Sequence, residues 1–417
     1  MRPTLAFVYH PRSFPTLAIA EAARDVCELL WVIDSSDPAI DAMPRLLTRL
    51  GKVVDVAGLS VPEAAERIAE FEPQGILTLA DRLIEWTAAV AECLRLPFYS
   101  SHTATALADK HTQRESLRAF GLAVPGFWLI GEEMTERDWS AIERDASFPA
   151  VLKPRRGEGS RDTFELGSFE GLRTRYSELQ SREGGLGREF VLEEYIPDAD
   201  QSVVGDGFGG YVSVESVVVD GRIVHLAVTG RMPLAEPYRE TGLFIPSTLD
   251  GGDRSAVLDV AARAAQALGV ERGCLHTEIK LTPSGPVVIE VNGRMGGILP
   301  EMLEPAFGLR ILPIAMRIAL DEPVELEELP RSDRVVFRLY SQPPLTAERV
   351  VQLEGLNDLR EVPGVDEVVV NRGPGQNVDW QEGSQGYVFC VAGTVSDHSE
   401  LRRLAAQVRS LVRIEWA

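Results

Sequence analysis

Through roughly the first hundred residues, short apolar runs alternate with stretches whose apolar positions recur at helical spacing. TLAFVYH, ELLWVID and QGILTLAD read as strands, while TLAIAEAARDV, VPEAAERIAEFE and IEWTAAVAECLRL read as helices. Strands and helices alternating at this interval predict a parallel sheet covered by helices. No GxGxxG follows the first strand, which argues against a dinucleotide cofactor there.

From residue 103 the pattern changes. TATALADKHTQRESLRAFG predicts a helix ending at Gly121, followed by VPGFWLI and a further helix near 135–146. PAVLKP predicts a strand ending at Pro154, RRGEGSRDTF a polar loop with glycines, and FVLEEYI another strand. An insertion over 198–210 leads into YVSVESVVV-DG-RIVHLAVT, a hairpin with a strong Asp220-Gly221 turn signal. Within that insertion GDGFGG formally fits GxGxxG, but it precedes a strand instead of opening a helix, so it reads as a loop. A helix at 253–268, a second hairpin CLHTEIKL-TPSGP-VVIEVN and a helix at about 302–320 follow. The remainder carries short strands (VVFRLY, VDEVVV, GYVFCVAG) and a final helix from about 397, without repeats.

Composition narrows the function. A chain of 417 residues suggests about three domains and can bury a core without disulfide or metal staples. Its 42 basic and 63 acidic residues leave a net charge of −21, which excludes a protein that tracks nucleic-acid phosphates. No apolar run approaches the length of a membrane-spanning helix. His10, Pro11 and Arg12 interrupt the opening stretch too early for an export signal. Four scattered cysteines without a CxxC pair fit a cytoplasmic enzyme, not a disulfide scaffold or zinc module. Of the 42 basic residues only Lys52, Lys110, Lys153 and Lys280 are lysine. Against that arginine bias, a retained lysine marks a position where a compact ammonium is needed.

The segment HTEIKLTPSGPVVIEVNGR is the most informative. Centring its hairpin on Ser284 places Glu278 opposite Glu290 and His276 opposite Asn292, with Glu290, Asn292 and Arg294 on one face. Opposed carboxylates destabilise a sheet unless something neutralises them. Two carboxylates and an amide oxygen are hard donors suited to Mg²⁺, and Arg294 lies beyond them, able to fork onto a carboxylate or phosphate. The competing reading sends one glutamate to solvent and pairs the other with Lys280 or Arg294. In VLKP-RRGEGSRDTF, Lys153 faces a loop with Gly157, Gly159 and Ser160, whose N–H groups form either an anion nest or a solvated turn. No Walker A loop is present. FVLEEYI alone fits an ordinary edge strand.

Taken in order, Asp109-Lys110, VLKP with its glycine loop, EEYI, Glu278 and Glu290-Val-Asn292-Gly-Arg294 resemble the ATP-grasp superfamily. The resemblance implies an α/β (α+β ATP-grasp) fold: a parallel α/β domain over 1–105, a two-lobed nucleotide- and metal-binding domain over 106–322, and a small α+β domain over 323–417. It implies that Lys110 and Lys153 contact ATP phosphates beneath a mobile loop containing Gly157, Gly159 and Ser160. Glu193, Glu194, Tyr195 and Ile196 would line the adenine pocket, with main-chain atoms of Glu194 and Ile196 reading its edge. Glu278, Glu290 and Asn292 would hold two Mg²⁺ ions, with Mn²⁺ able to substitute.

Within the superfamily, SVES, PYRETG, HTEIKL and EVNGRMGG resemble the L-amino-acid ligases that make dipeptides. By that resemblance Glu240 would hold the ammonium of an amino acid, Arg294 and the backbone at Gly297 would steer the reacting carboxylate, and Arg231 would assist the γ-phosphate. Leu243 and Ile298 stand where the bacilysin-type ligase has histidine and tryptophan. The expected activity is an ATP- and Mg²⁺-dependent carboxylate–amine ligase working through an acyl phosphate and releasing ADP and phosphate. Its partners would be small amino-acid or peptide substrates and a second copy of the chain, with no nucleic acid or membrane. The alternative is a carboxylase- or formyl-transfer-type enzyme activating bicarbonate or formate.

Overall fold

The structure, a computed structural model, describes residues 2–181, 189–326 and 332–417. The N-terminal strands β1 (Thr4–Val8), β2 (Glu28–Ile33), β3 (Lys52–Asp55) and β4 (Gly75–Thr78) form a parallel sheet in the order β3-β2-β1-β4. Leu5, Ala6 and Phe7 are all fully buried, as expected of a strand covered on both faces. β3 is an addition to the elements read from sequence; only Val54 of its four residues is buried, which left little pattern. The loop after β1 carries Arg12, Ser13 and Phe14 to the carboxyl end of this sheet.

The helix expected over 103–121 is two helices, Ser101–Ala108 and Lys110–Ala119. Asp109 breaks it: its backbone is extended, and its carboxylate caps the second helix by accepting from the His111 and Thr112 N–H groups. Fully buried, that carboxylate also takes Arg155 at 2.6 Å, so the break is anchored to the glycine loop. Lys110 thereby opens a helix.

Strands β5 (Phe127–Ile130), β6 (Ala150–Pro154), β7 (Phe164–Leu166) and β8 (Phe190–Glu194) build an antiparallel sheet in the order β5-β8-β6-β7. β8 is therefore internal, which overturns the edge-strand reading of FVLEEYI, and it ends at Glu194 instead of Ile196. Glu193 is tolerated inside because two cations meet it.

The largest sheet takes β9 (Tyr211–Val219), β10 (Arg222–Arg231), β11 (Gly242–Ile245), β12 (Gly273–Thr282), β13 (Gly285–Asn292) and β14 (Val335–Tyr340). Of the strands after it, β15 (Val350–Glu354), β16 (Val365–Val370), β17 (Phe389–Val395) and β18 (Arg413–Trp416), β16 and β17 join this sheet. Its order is β13-β12-β9-β10-β11-β14-β17-β16, while β15 and β18 pair with each other. Strands on either side of residue 322 thus share one sheet through β11 and β14. The Asp220-Gly221 turn has positive φ at both residues (50° and 74°), the type I′ geometry its sequence calls for. The helix expected at 302–320 is divided into Leu299–Phe307 and Ile311–Ala319, with Gly308 in the left-handed region (φ 69°) closing the first.

The β12–β13 hairpin reaches the expected register by a different route. Thr282 pairs with Gly285, so the turn holds only Pro283 and Ser284. Ile289 is then an extra residue in β13, and this bulge restores Glu278 opposite Glu290 and His276 opposite Asn292. No helix among the described residues is long and apolar enough to cross a membrane.

Candidate active site

Alternation along strands gathers one face of the large sheet into a polar surface. Tyr211, Ser213 and Glu215 of β9 stand beside Lys280, Glu278 and His276 of β12, with Glu290 and Asn292 of β13 next in line. Arg231 and Thr229 come from β10. The β5–β8 sheet faces this surface with Lys153 and Glu193 across a first cavity, and an adjoining second cavity lies between the surface, the glycine loop and the loop after β1.

Lys110, Lys153, Gly157, Gly159, Ser160, Glu193, Glu194, Tyr195 and Ile196 all line the first cavity, among apolar groups from Val151, Leu234 and Ile289. Arg231, Glu240, Asn292, Arg294, Gly297 and Ile298 line the second, with Leu79, Leu243, Phe14 and Leu299 forming an apolar part of its wall. Glu278 and Glu290 line both, as do Glu158, Gly159, Ser160 and Tyr211. Every residue to which the resemblance gives a site role therefore borders one of two adjoining spaces. Lys280 also lines the first, pairing with Asp198 at 2.6 Å. Lys52 does not; it lies exposed on β3, with Nζ 5.9 Å from the centre of the Phe71 ring.

Neither glutamate of the hairpin is left to solvent, nor is either paired with Lys280. Lys110 Nζ meets Glu290 Oε1 at 2.9 Å and donates to the Gly157 carbonyl at 2.8 Å. His276 Nε2 lies 3.4 Å from Glu278, while its Nδ1 is 2.7 Å from Glu215. Burial alone would discharge this imidazole, but the Glu215 charge and hydrogen bond, joined by Glu278, raise its pKa to about 9. Burial would raise Glu278; the His276 hydrogen bond and charge, with Arg231 and Arg294 behind, bring it down to about 2. Glu278 is therefore ionised at neutral pH.

The first cavity has a similar arrangement at its inner end. Glu193, only 4% exposed, receives Arg114 through Nε at 2.9 Å and Nη2 at 3.0 Å, and Lys153 at 2.9 Å. Burial opposes its charge, yet Arg114 and Lys153 carry the carboxyl down to about 2. The same burial lowers Lys153 from the ordinary lysine range. Arg114 also donates to the carbonyl of the bulged Ile289, which ties the two lobes together.

In the second cavity Arg231 is paired with Glu240 and Ser213, and Arg294 with Asp81 at 2.7 Å. Burial and the nearby Asp81 charge push the Glu158 carboxyl up. A segment far along the chain, Trp380–Gly386, holds the glycine loop from outside. The Ser384 N–H donates to the Gly159 carbonyl at 3.1 Å, and Arg161 Nε to the Glu382 carbonyl at 3.4 Å. Ser384 Oγ also accepts from the Glu240 N–H, and Gln342 Nε2 bonds both the Glu240 and Ser384 carbonyls.

Arg114, Glu215, His276, Gln342 and Ser384 were not assigned chemistry from the sequence. The sequence did place His276 beside Asn292, and the SVES run contains Glu215. The others meet the site only through long-range contacts. Among the described residues, no three or more His, Cys, Asp or Glu are grouped to hold a metal. Glu278, Glu290 and the Asn292 amide nevertheless share one wall, a hard-oxygen set that fits a cation taking its remaining ligands from water and phosphate.

Over the whole chain the structure superimposes on an L-amino acid ligase from Bacillus licheniformis with a TM-score of 0.76, covering 99% of that chain at 19% identity. The protein has the ATP-grasp fold, and its class is that of the ATP-dependent ligases. More narrowly, it resembles the L-amino-acid ligase branch: residues 345–417 match the family L-amino acid ligase C-terminal domain 2. An L-arginine-specific L-amino acid ligase of Bacillus subtilis is 23% identical over 311 residues, 74% of this chain and 71% of the relative. A protein of Sinorhizobium fredii named only as uncharacterized is 24% identical over 392 residues, 91% of this chain and 72% of its own length.

Proposed function

We propose that this enzyme joins an amino acid, through its carboxylate, to the amine of a second amino acid or peptide, converting ATP to ADP and phosphate. The observation that supports it best is the shared wall: Glu278 and Glu290 border both the cavity lined by Lys110 and Lys153 and the polar one lined by Arg231 and Arg294. A phosphoryl group moving from one space to the other passes that wall.

In this reading Tyr195, Ile196 and the strand end at Glu194 receive the adenine, while Lys110 and Lys153 meet the phosphates. Charge spreads over the phosphoryl oxygens as the donor carboxylate attacks, so ammonium and guanidinium groups are the required equipment. Glu278, Glu290 and Asn292 would hold Mg²⁺, which supplies charge neutralisation between phosphate oxygens. Arg294 orients the carboxylate, Arg231 faces the transferring group, and Glu240 holds the ammonium of an amino acid. The acyl phosphate formed is quickly hydrolysed by water, so the clasped loop at Gly157–Ser160 closes over it. The amine then displaces phosphate.

Leu79, Leu243 and Ile298 make the wall around the donor side chain apolar, so an apolar amino acid is the favoured donor. Four free cysteines suit a reducing cytoplasm, and the resemblance carries the expectation of a homodimer. The deciding experiment is phosphate release across a matrix of amino-acid pairs, with product masses measured. ADP formation driven by bicarbonate or formate, with no amino acid required, would replace this reading by the carboxylase or formyl-transfer alternative.

A further inference from the structure

Glu215 is 2% exposed and lines the second cavity, yet only one of its carboxylate oxygens is used. Oε1 takes His276 Nδ1 at 2.7 Å and the Thr229 hydroxyl at 3.5 Å. Oε2 has no hydrogen-bond partner among the described residues. A buried carboxylate oxygen left without a donor is costly, so its position in a ligand-sized space calls for a donor that arrives with the ligand.

A second observation points the same way. Gly296 passes directly over this carboxylate: a Cβ there would stand 3.4 Å from each Glu215 oxygen and 3.0 Å from His276 Nδ1. Its backbone is not in the left-handed region, so conformation does not require glycine; open space above Glu215 does. Ile298, two residues on, belongs to the apolar wall of the same cavity.

We propose that Glu215 is the specificity-determining residue that receives the α-ammonium of the acyl-donor amino acid, resting on the ligase reading above. Joining two amino acids brings two ammonium groups to the site, and two carboxylates are placed for them. The donor's ammonium stays protonated throughout, so it suits a fixed, buried counter-charge such as Glu215. The acceptor's must lose a proton to become a nucleophile, which suits Glu240, whose side chain is 28% exposed. Both Arg231 and the Tyr211 hydroxyl engage Glu240 at Oε1. The donor would then lie with its ammonium at Glu215, its carboxylate toward Arg294 and its side chain against Ile298.

The test is calorimetric binding to the full chain saturated with Mg²⁺ and a non-hydrolysable ATP analogue. L-alanine, L-leucine and L-phenylalanine are each compared with the same acid lacking its α-amine, beside steady-state phosphate release. The wild type should favour the amino acid over its des-amino counterpart at least tenfold. Glu215→Gln, which keeps the shape and an acceptor for His276, should remove most of that preference while ATP affinity stays within twofold. Gly296→Ala should weaken donor binding in the same direction with the charge intact. An undiminished preference in Glu215→Gln overturns the proposal and makes Glu215 a support for His276. Selective binding lost in Glu215→Gln, without amino-acid-driven phosphate release by the wild type, upholds the subsite and overturns the ligase reading. A wild type that binds no amino acid more tightly than its des-amino counterpart overturns the subsite directly.

Discussion

Lys110 Nζ lies 2.9 Å from Glu290 Oε1, so the ammonium that opens one helix neutralises the carboxylate offered by the hairpin. From the sequence alone, two opposed glutamates repel, and removing one would leave stability unchanged or improved. The structure reverses that expectation. In Glu290→Ala the buried Lys110 loses its partner, so stability measured by calorimetry with EDTA should fall by about 1–3 kcal/mol. ADP formation should disappear as well. A variant as stable as the wild type would mean that Lys110 draws nothing from this pair.

Lys153→Arg should not behave as a conservative change. Lys153 is 8% exposed and shares Glu193 with Arg114, leaving little room for a longer planar group. The Kd for ATP should rise at least tenfold, about 1.4 kcal/mol, by titration calorimetry. An unchanged Kd would leave the lysine as framework only.

The His276–Glu215 pair predicts a pH-dependent contribution to stability. The folded pKa of about 9 lies above the ordinary 6.5, so the pair's contribution is full below pH 6.5 and is lost as pH rises through 9. Thermal melts of wild type and His276→Gln without Mg²⁺ should therefore differ most at pH 6 and converge by about pH 9.5. The largest difference to expect is about 3 kcal/mol. A difference independent of pH would show that the histidine is not charged in the native state.

Substrate selection should respond to Ile298 and Glu240. Ile298→Trp fills the apolar wall, and the ratio of kcat/KM for a large over a small donor should fall roughly tenfold or more. Glu240→Gln should raise the KM of the amine substrate strongly with ATP binding nearly unchanged, because a charge-assisted contact is lost. If neither ratio moves, the substrates are held elsewhere.

Gly383 has φ 69°, and a Cβ on it would overlap the Gly159 carbonyl oxygen. Gly383→Ala should therefore loosen the clasp on the glycine loop and admit water. Phosphate release should rise relative to coupled product, read by comparing phosphate with ligated mass in one reaction. Equal coupling in both proteins would show that the loop closes without this contact.

How far the site could be read from the sequence depends on how far apart its partners lie. Glu278 and Glu290 were legible because a hairpin is local and its alternation has a strict period. Even there the turn is one residue shorter than the pattern suggested, and the Ile289 bulge makes up the difference. The break at Asp109 was hidden because its polar neighbours continue a helical pattern, while its cause lies in Arg155. Glu193 looked like the end of an edge strand because its cations come from a separate helix and a neighbouring strand. Ser384 and Gln342 reach Glu240 across more than a hundred residues, and no local pattern reports such a contact.

The clasp has a consequence for the chain as it is made. Both cavities, apart from Tyr340, Ser384 and Gln385, are walled by residues up to Leu299, so most of the site leaves the ribosome early. Trp380–Gly386, which pins the glycine loop, emerges much later. A growing chain can thus assemble its nucleotide pocket before it can seal it. Until Trp380–Gly386 docks, any acyl phosphate formed in the half-made enzyme would stand open to water, so the last stretch of the chain is what would make ATP use productive.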